Sequence, residues 1–462
     1  ASDVYKRQRK KEHILSDEME EVLANAGEMA DSPSDIFSMF NNADIRFDAV
    51  TDENGKVREV THGSFITLLE DKSRKVRSDA FHSLYSQYEK YKNTLAAMYR
   101  ANVKQYAFFA KTRKFDGSLS YGLSGSHIPN EVYHQLIDTV NEYLPLMHRY
   151  VSLRAKCLGV QELHMYDLYV PMVEGVALKI PFEEAKKIVY DGLAPLGDDY
   201  RKILTEGFTN RWIDVYENEG KRSGAYSWGA YGTHPYVLLN YQDNLNNVFT
   251  LAHEMGHALH SYFSDEAQPY IYAGYRIFVA EVASTCNESL LIHYLLEHVK
   301  SREEKAYLVN YFLDQFKGTL FRQTMFAEFE EITHRMVEEG KTLTPENICE
   351  IYYDLNKKYY GSEMHIDEEI AMEWARIPHF YTPFYVYQYA TGFSAAIAIS
   401  RKILAGDKDV LSGYKKFLQS GGSLDPIDLL KLAGVDMTKK EPIVEAMGLF
   451  EQLLDEMDKL CR

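Results

Sequence analysis

The spacing of apolar residues predicts a mostly helical protein. Apolar side chains recur every three or four positions, the period of an amphipathic helix, in the segments 15–30, 64–112, 129–157, 183–205, 244–264, 276–300, 303–338, 345–360 and 383–405. Glycines and prolines separate these segments, as expected at helix ends. The longest interruption, FDGSLSYGLSGS at 115–126, is rich in glycine and serine. We therefore predict a boundary there, between a region over 1–115 and a second over 116–462.

Strand patterns are few and lie close together. Tyr166–Met172 and Trp212–Tyr216 alternate between apolar and polar residues, and His234–Tyr241 (HPYVLLNY) alternates most clearly. Pro235 lacks a backbone donor, which favours an edge strand over a central one. We expect one small sheet directly before the helix at 244, with an exposed edge on which an extended peptide could pair.

The composition excludes several classes of protein. The 462 residues carry a net charge of −17, with acids and bases interspersed, whereas a nucleic-acid binder needs a basic face. No apolar run approaches the roughly 18 residues of a membrane span, and the first residues do not resemble a signal peptide. Cys157, Cys286, Cys349 and Cys461 are too far apart for a zinc knuckle or redox pair. We expect a cytoplasmic protein without nucleic-acid or membrane partners.

The segment Leu251–His260 (LAHEMGHALH) contains the pattern H-E-x-x-H. On a helix, His253 and His257 share a face, so both imidazoles can reach one zinc ion, and Glu254 lies beside them. Chance alone produces this pattern in about one chain in twenty of this histidine content. The alternative is a buried helix whose two histidines are satisfied by hydrogen bonds. Asp243 is the predicted N-cap of this helix.

A third ligand must come from elsewhere. His260 returns to the same helix face, but seven residues rise about 10.5 Å along the axis, so His260 is expected to line the site or pack beneath it. Glu281 lies in an apolar segment, IFVAEVAS, with no Lys or Arg between Arg276 and Lys300. A buried carboxylate without a cation is unfavourable by several kcal/mol, and zinc would neutralise it. Glu288, on the same helix face as Glu281, is a candidate support for a ligand.

These ligands predict a catalytic rather than a structural zinc site. His253, His257 and Glu281 leave the fourth zinc position to water. Zinc lowers the pKa of such a water to about 7, and Glu254 could take its proton and return it to a departing amine. The predicted reaction is peptide-bond hydrolysis with one zinc per chain.

A tyrosine-rich segment, IPHFYTPFYVYQYATG at 377–392, offers further groups. Its candidates are His379, Tyr381, Tyr385, Tyr387 and Tyr389. Phenol and imidazole donors could stabilise the oxyanion that forms when water attacks a carbonyl. Aromatic packing is the alternative for about half of them.

Several motifs together closely resemble oligoendopeptidase F, a branch of the thimet oligopeptidase family of zinc peptidases. They are HEMGHALHSYFS, FVAEVAS, HFYTPFYVYQYATGFSAA, FLQSGGS followed by LLKLAGVDM, NNADIRF at 41–47 and THGSF at 61–65. The resemblance implies zinc ligands at His253, His257 and Glu281 and a general base at Glu254. It implies a transition-state tyrosine that best matches Tyr387, with His379 contacting substrate. The spacing varies within the family, so Tyr381, Tyr385 and Tyr389 stay open.

The resemblance also implies a fold and a substrate class. It implies a helical body with a deep channel that admits short peptides, a catalytic domain over 116–462, and an incomplete helical region over 1–115, since family members carry a further segment before this point. The expected activity is a zinc endopeptidase acting on oligopeptides. A carboxydipeptidase of the angiotensin-converting type, which shares HEMGH, is one alternative. An inactive, metal-stabilised peptide-binding protein is the other.

Overall fold

The computed structural model of the chain describes residues 8–173 and 179–461. Within them the protein is mainly α-helical with only small sheets, which confirms the predicted fold class. Residues 1–7, the start of the predicted N-terminal region, lie outside the described residues. Two compact units are present, each assembled from three segments. The first unit comprises Ala1–Gly125, Val140–Met172 and Phe321–Tyr387, and the second comprises Ser126–Thr139, Val173–Leu320 and Gln388–Arg462. The domain boundary between 115 and 116 stays a prediction.

The described residues form α-helices along the whole chain. Their bounds are Asp17–Ala30, Ser32–Met39, His62–Leu69, Arg74–Lys90, Lys92–Thr112, Ser118–Ser124, Asn130–Glu142, Leu144–Leu158, Phe182–Gly192, Asp198–Thr209, Leu245–Ala267, Tyr270–Ala273, Ile277–His298, Arg302–Gln315, Arg322–Glu338, Pro345–Tyr360, Tyr387–Leu404, Lys408–Gln419, Pro426–Leu432 and Glu441–Leu460. A π-helical segment, Phe316–Phe321, interrupts the predicted helix at 303–338. The predicted interruption at 115–126 contains the short helix Ser118–Ser124.

The helix Pro345–Tyr360 begins and ends at the predicted residues because both of its ends are encoded locally. Thr344 and Asn347 form a reciprocal capping box at its start, and proline occupies its first position. Gly361 follows with a φ of +77°, a conformation that glycine adopts without strain. By contrast, the long pattern at 64–112 is divided into three helices, with breaks before Arg74 and at Tyr91.

The sheets correct two strand predictions. In the second unit, Tyr236–Leu238 is the central strand of three, parallel to Ile213–Asp214 and antiparallel to Tyr226–Trp228. The edge-strand prediction for 234–241 is therefore wrong. Pro235 lies just before the strand, so its missing donor leaves the ladder intact, and Val237 N–H donates to Trp212 C=O at 2.7 Å.

The predicted strand at 166–172 is also wrong. In the first unit, the strand is Leu163–His164, paired in parallel with Met364–His365, and the chain then turns into the 3-10 helix Met165–Asp167. The Asp167 carboxylate stabilises this turn by accepting the His164 N–H at 3.0 Å. The third described sheet pairs Val50–Thr51 with Val57–Arg58.

Glu373, in the core of the first unit, is a buried carboxylate held by two cations. Glu373, which is 2% exposed, accepts from Arg322 at 2.7 Å and from Arg376 at 3.0 Å. The hydroxyls of Tyr352 and Tyr85 donate to it at 2.6 and 3.1 Å. Burial raises the pKa of Glu373, but the charges of Arg322 and Arg376 outweigh burial and bring the pKa to about 2. This network connects four separate elements of the unit.

Among residues 8–173 and 179–461, no helix combines the length and apolar character that a membrane span requires.

Candidate metal centre

The helix Leu245–Ala267 carries the H-E-x-x-H motif. Its N-cap is Asn244, whose extended backbone lets the side-chain oxygen accept the Asn247 N–H at 2.9 Å. The predicted cap, Asp243, is therefore wrong by one residue. The Asn cap satisfies one of the free N–H groups at the helix start.

A glycine contact holds this helix close to the helix Ile277–His298. At Gly256, inside HEMGH, an added Cβ would lie 2.5 Å from Ser284 Cα and 2.9 Å from the Ala283 carbonyl oxygen. No side chain fits in that space without moving one backbone away from the other. The glycine therefore allows the approach that brings Glu281 to the two histidines.

Three predicted ligand atoms form a nearly equilateral triangle. His253 Nε2 lies 3.1 Å from His257 Nε2 and 3.4 Å from Glu281 Oε2, and the third side, between His257 Nε2 and Glu281 Oε2, is 3.5 Å. Tetrahedral zinc with bonds of about 2.0–2.1 Å places its ligand atoms about 3.3–3.4 Å apart. The donors also match, because imidazole nitrogen and carboxylate oxygen are ordinary zinc ligands. The side chains are 18% to 34% exposed, so solvent reaches part of the triangle.

Glu288 contacts His253, the first candidate ligand. Its Oε1 accepts a hydrogen bond from His253 Nδ1. A carboxylate can only accept, so His253 Nδ1 carries the proton and Nε2 presents its lone pair to the triangle. The expected contact between Glu288 and His253 is present, and its role as the support of a metal ligand stays a prediction.

Glu254 lies beside the ligands but has a different environment. Its side chain is only 6% exposed, and among the described residues its Oε2 has no hydrogen-bond partner. Burial raises the pKa of this carboxyl above its ordinary value. In Glu281, burial also raises the pKa, but the adjacent imidazoles of His253 and His257 outweigh it and hold the pKa below the ordinary value. The Glu281 carboxylate is thus suited to metal ligation and the Glu254 carboxylate to accepting a proton.

His260 packs beneath the centre, as predicted. Its ring is 1% exposed and stacks on Tyr275, with 3.7 Å between ring centroids. Burial lowers the pKa of His260 to about 3, so it stays neutral.

A buried polar chain that was not predicted from the sequence connects the two helices. Asn287 Nδ2 donates to the Ala252 carbonyl at 3.0 Å, and Tyr200 OH donates to Asn287 Oδ1 at 3.0 Å. Asn287 is fully buried. It lies among Thr285, Glu288 and Ser289, so it lacks the isolation on an apolar helix that identified Glu281 in the sequence.

The side chains of the tyrosine-rich segment lie in different environments. Tyr387 is 1% exposed, Tyr381 stacks on Phe37 at 4.3 Å, and the exposed His379 ring lies 6.1 Å from that of Tyr385. These residues belong to the first unit, and Tyr389, partly exposed, belongs to the second. The four tyrosines therefore all stay candidates for the transition-state donor.

An exposed strand edge accompanies the motif helix. Tyr226–Trp228 is an outer strand of the three-stranded sheet and packs on Leu245–Ala267. The side chains of Tyr226 and Trp228 are 46% and 77% exposed. This strand has the free edge that was expected of 234–241.

Comparisons with known proteins agree on one family. The profile of Peptidase family M3 matches residues 67–449, and that of Oligopeptidase F matches residues 3–47. Oligopeptidase PepF of Bacillus subtilis is 52% identical over 97% of this chain and 67% of its own length. An oligoendopeptidase F homolog of Lactococcus lactis is 44% identical over 98% of this chain and 75% of its own. The crystal structure of oligoendopeptidase-F from Enterococcus faecium superposes with a TM-score of 0.83 at 42% identity, covering 99% of this chain and 77% of that one.

Proposed function

The chain belongs to peptidase family M3, and from this premise we propose that it is a cytoplasmic zinc endopeptidase that hydrolyses internal bonds of short peptides. The observation that carries the proposal is the triangle of His253, His257 and Glu281, whose sides match a tetrahedral zinc site, with Glu254 adjacent. These three ligands hold one zinc ion in each chain.

Zinc and Glu254 have different roles in the proposed hydrolysis. When bound, zinc polarises a peptide carbonyl and lowers the pKa of the attacking water. Glu254 accepts the proton of that water as its oxygen bonds to the carbonyl carbon, then donates the proton to the amine nitrogen as the C–N bond breaks. Glu288 keeps His253 in the tautomer and orientation that ligation needs.

Substrate binding is assigned to the outer strand Tyr226–Trp228. Its free edge offers backbone N–H and C=O groups to an extended peptide, and its exposed aromatic side chains offer apolar contacts. An extended peptide pairs through its backbone, which gives affinity with little dependence on sequence.

Oxyanion stabilisation is assigned to Tyr387, with His379 as a substrate contact. The support is the family resemblance of the segment that contains them. Partial exposure keeps Tyr381, Tyr385 and Tyr389 as alternatives.

The test uses an internally quenched peptide of about ten residues that is blocked at both ends. We expect cleavage at an internal bond, loss of activity with a chelator, and recovery with stoichiometric zinc. A requirement for a free C-terminal carboxylate would indicate a carboxydipeptidase instead. Zinc and peptide binding without cleavage would indicate an inactive binding protein.

A further inference from the structure

A second cluster of metal-ligating side chains lies in the first unit. The parallel strands Leu163–His164 and Met364–His365 place His164 directly opposite His365 in the register. Their rings lie on the same side of the strand pair, with 4.4 Å between centroids. Two imidazoles on facing positions of paired strands can share one ion, because neighbouring strands lie only about 4.7–4.9 Å apart.

Glu162 reaches both histidines with different oxygens. Its Oε2 lies 3.4 Å from His164 Nε2, and its Oε1 lies 3.4 Å from His365 Nδ1. One ligand atom from each of the three residues lies within 4.8 Å of the others. The two 3.4 Å separations, each made by a different Glu162 oxygen, are close to the spacing of neighbouring zinc ligands, about 3.3–3.4 Å, so a carboxylate that binds through both oxygens would fit.

Asp367 fixes the orientation of His164. Its Oδ1 accepts from His164 Nδ1 at 2.8 Å, while its Oδ2 accepts the backbone N–H of Met165 at 2.8 Å. His164 Nδ1 therefore carries the proton, and the lone pair of Nε2 points towards Glu162. The same arrangement, a carboxylate behind a histidine, holds His253 in the first centre.

We propose that Glu162, His164 and His365 form a second, surface site for a divalent transition-metal ion such as zinc. Imidazole and carboxylate donors suit such ions. The site is weaker than the first, because the side chains of Glu162 and His365 are 63% and 47% exposed and must be ordered on binding. A bound ion would join two strands that are far apart in the sequence and so stabilise the first unit.

The experiment measures zinc binding by equilibrium dialysis of the full chain over a range of free zinc. We expect two equivalents in the unsubstituted protein, the second with a dissociation constant on the order of 1–100 µM. His365→Asn and Glu162→Gln should each weaken the second equivalent at least tenfold and leave the first unchanged. Because both side chains are exposed, each variant should have the same melting temperature as the unsubstituted protein when no zinc is added.

Two controls separate this site from the first centre and from general surface binding. Glu281→Ala should weaken binding of the first zinc ion and leave binding of the second zinc ion unchanged. His298→Asn, which removes an exposed histidine at the end of Ile277–His298, should change neither. Zinc added after saturation of the first centre should raise the melting temperature of the unsubstituted protein but not of His365→Asn.

Two results would overturn the inference. One is a single zinc equivalent in the unsubstituted protein at 1 mM free zinc, on the order of ten times the weakest expected dissociation constant. The other is a second equivalent whose affinity is the same in His365→Asn and Glu162→Gln as in the unsubstituted protein.

Discussion

Glu254 and Glu281 occupy the same centre, yet their surroundings suit them to different tasks. Glu281 faces two imidazoles, whereas Glu254 is buried with one oxygen that has no hydrogen-bond partner among the described residues. Substitutions at these positions should therefore separate ion binding from proton transfer.

Glu254→Gln should abolish turnover but not metal binding. Glutamine keeps the size of the side chain, and all three ligands remain, but an amide cannot accept the proton of the attacking water. We expect kcat to fall by about 10² to 10⁴, with the zinc content measured by plasma emission unchanged. A variant that keeps kcat within about tenfold would exclude Glu254 as the general base.

Tyr387→Phe tests the proposed oxyanion donor. Loss of a hydroxyl that acts only in the transition state should lower kcat by on the order of 10² and leave KM nearly unchanged. Tyr414→Phe, at another fully buried tyrosine, is the matched control and should keep kcat. A raised KM with an unchanged kcat would make Tyr387 a ground-state contact, and Tyr381, Tyr385 and Tyr389 would be tested next.

At the scale of elements, the centre depends on how closely two helices approach. Gly256→Ala should force Leu245–Ala267 and Ile277–His298 apart, because the new Cβ meets backbone atoms of Ser284 and Ala283. We expect a loss of about 1–3 kcal/mol in unfolding free energy and weaker zinc binding. Gly27→Ala is the control, since that helical glycine has nothing within 4 Å of an added Cβ. It should be neutral or stabilise the protein by up to about 1 kcal/mol. Equal effects of the two substitutions would contradict the close-contact explanation.

The buried network around Glu373 predicts a dependence of stability on pH. The pKa of Glu373 falls from an ordinary 4.5 to about 2 on folding. The ionised carboxylate therefore stabilises the protein fully above pH 4.5, and this contribution is lost as the pH falls towards 2. Glu373→Gln should lower the unfolding free energy by about 3–5 kcal/mol at pH 7, since Arg322 and Arg376 stay buried without their counter-charge.

Urea denaturation at several pH values checks this prediction. The difference in midpoint between the unsubstituted protein and Glu373→Gln should be large at pH 7 and shrink steadily below pH 4.5. A difference that does not change with pH would mean that the substitution acts through packing alone.

At the scale of the whole molecule, the resemblance implies a channel that selects substrates by size. We expect rapid cleavage of an extended peptide of about a dozen residues and at least about a hundredfold slower cleavage of unfolded casein. Digests followed by mass spectrometry measure both rates at equal concentrations of chain termini. Similar rates would exclude a size-selective channel.

Structural features that depend on residues close together in the sequence were predicted better than features that depend on contacts between distant residues. The H-E-x-x-H helix and the isolated Glu281 could be inferred because helical periodicity and the absence of nearby cations are local properties. The central position of the strand Tyr236–Leu238 could not be inferred, because it depends on pairing with strands at 213–214 and 226–228. His164 and His365 likewise meet only through a pairing across the first unit. The helices after residue 408 also follow a local apolar pattern, although the predicted helices ended at residue 405.

The contact at Gly256 has a consequence for the evolution of such centres. The position of Glu281 relative to the histidines depends on one helix lying against another at Gly256, and the connecting residues 268–276 add the Tyr275 ring that stacks on His260. Changes of length in the rest of that connection should be tolerated as long as the glycine and this stacking remain. A search for distant homologues that demands a fixed interval between HEMGH and the glutamate would therefore overlook proteins with the same centre. A search that demands the glycine and lets the interval vary would find them.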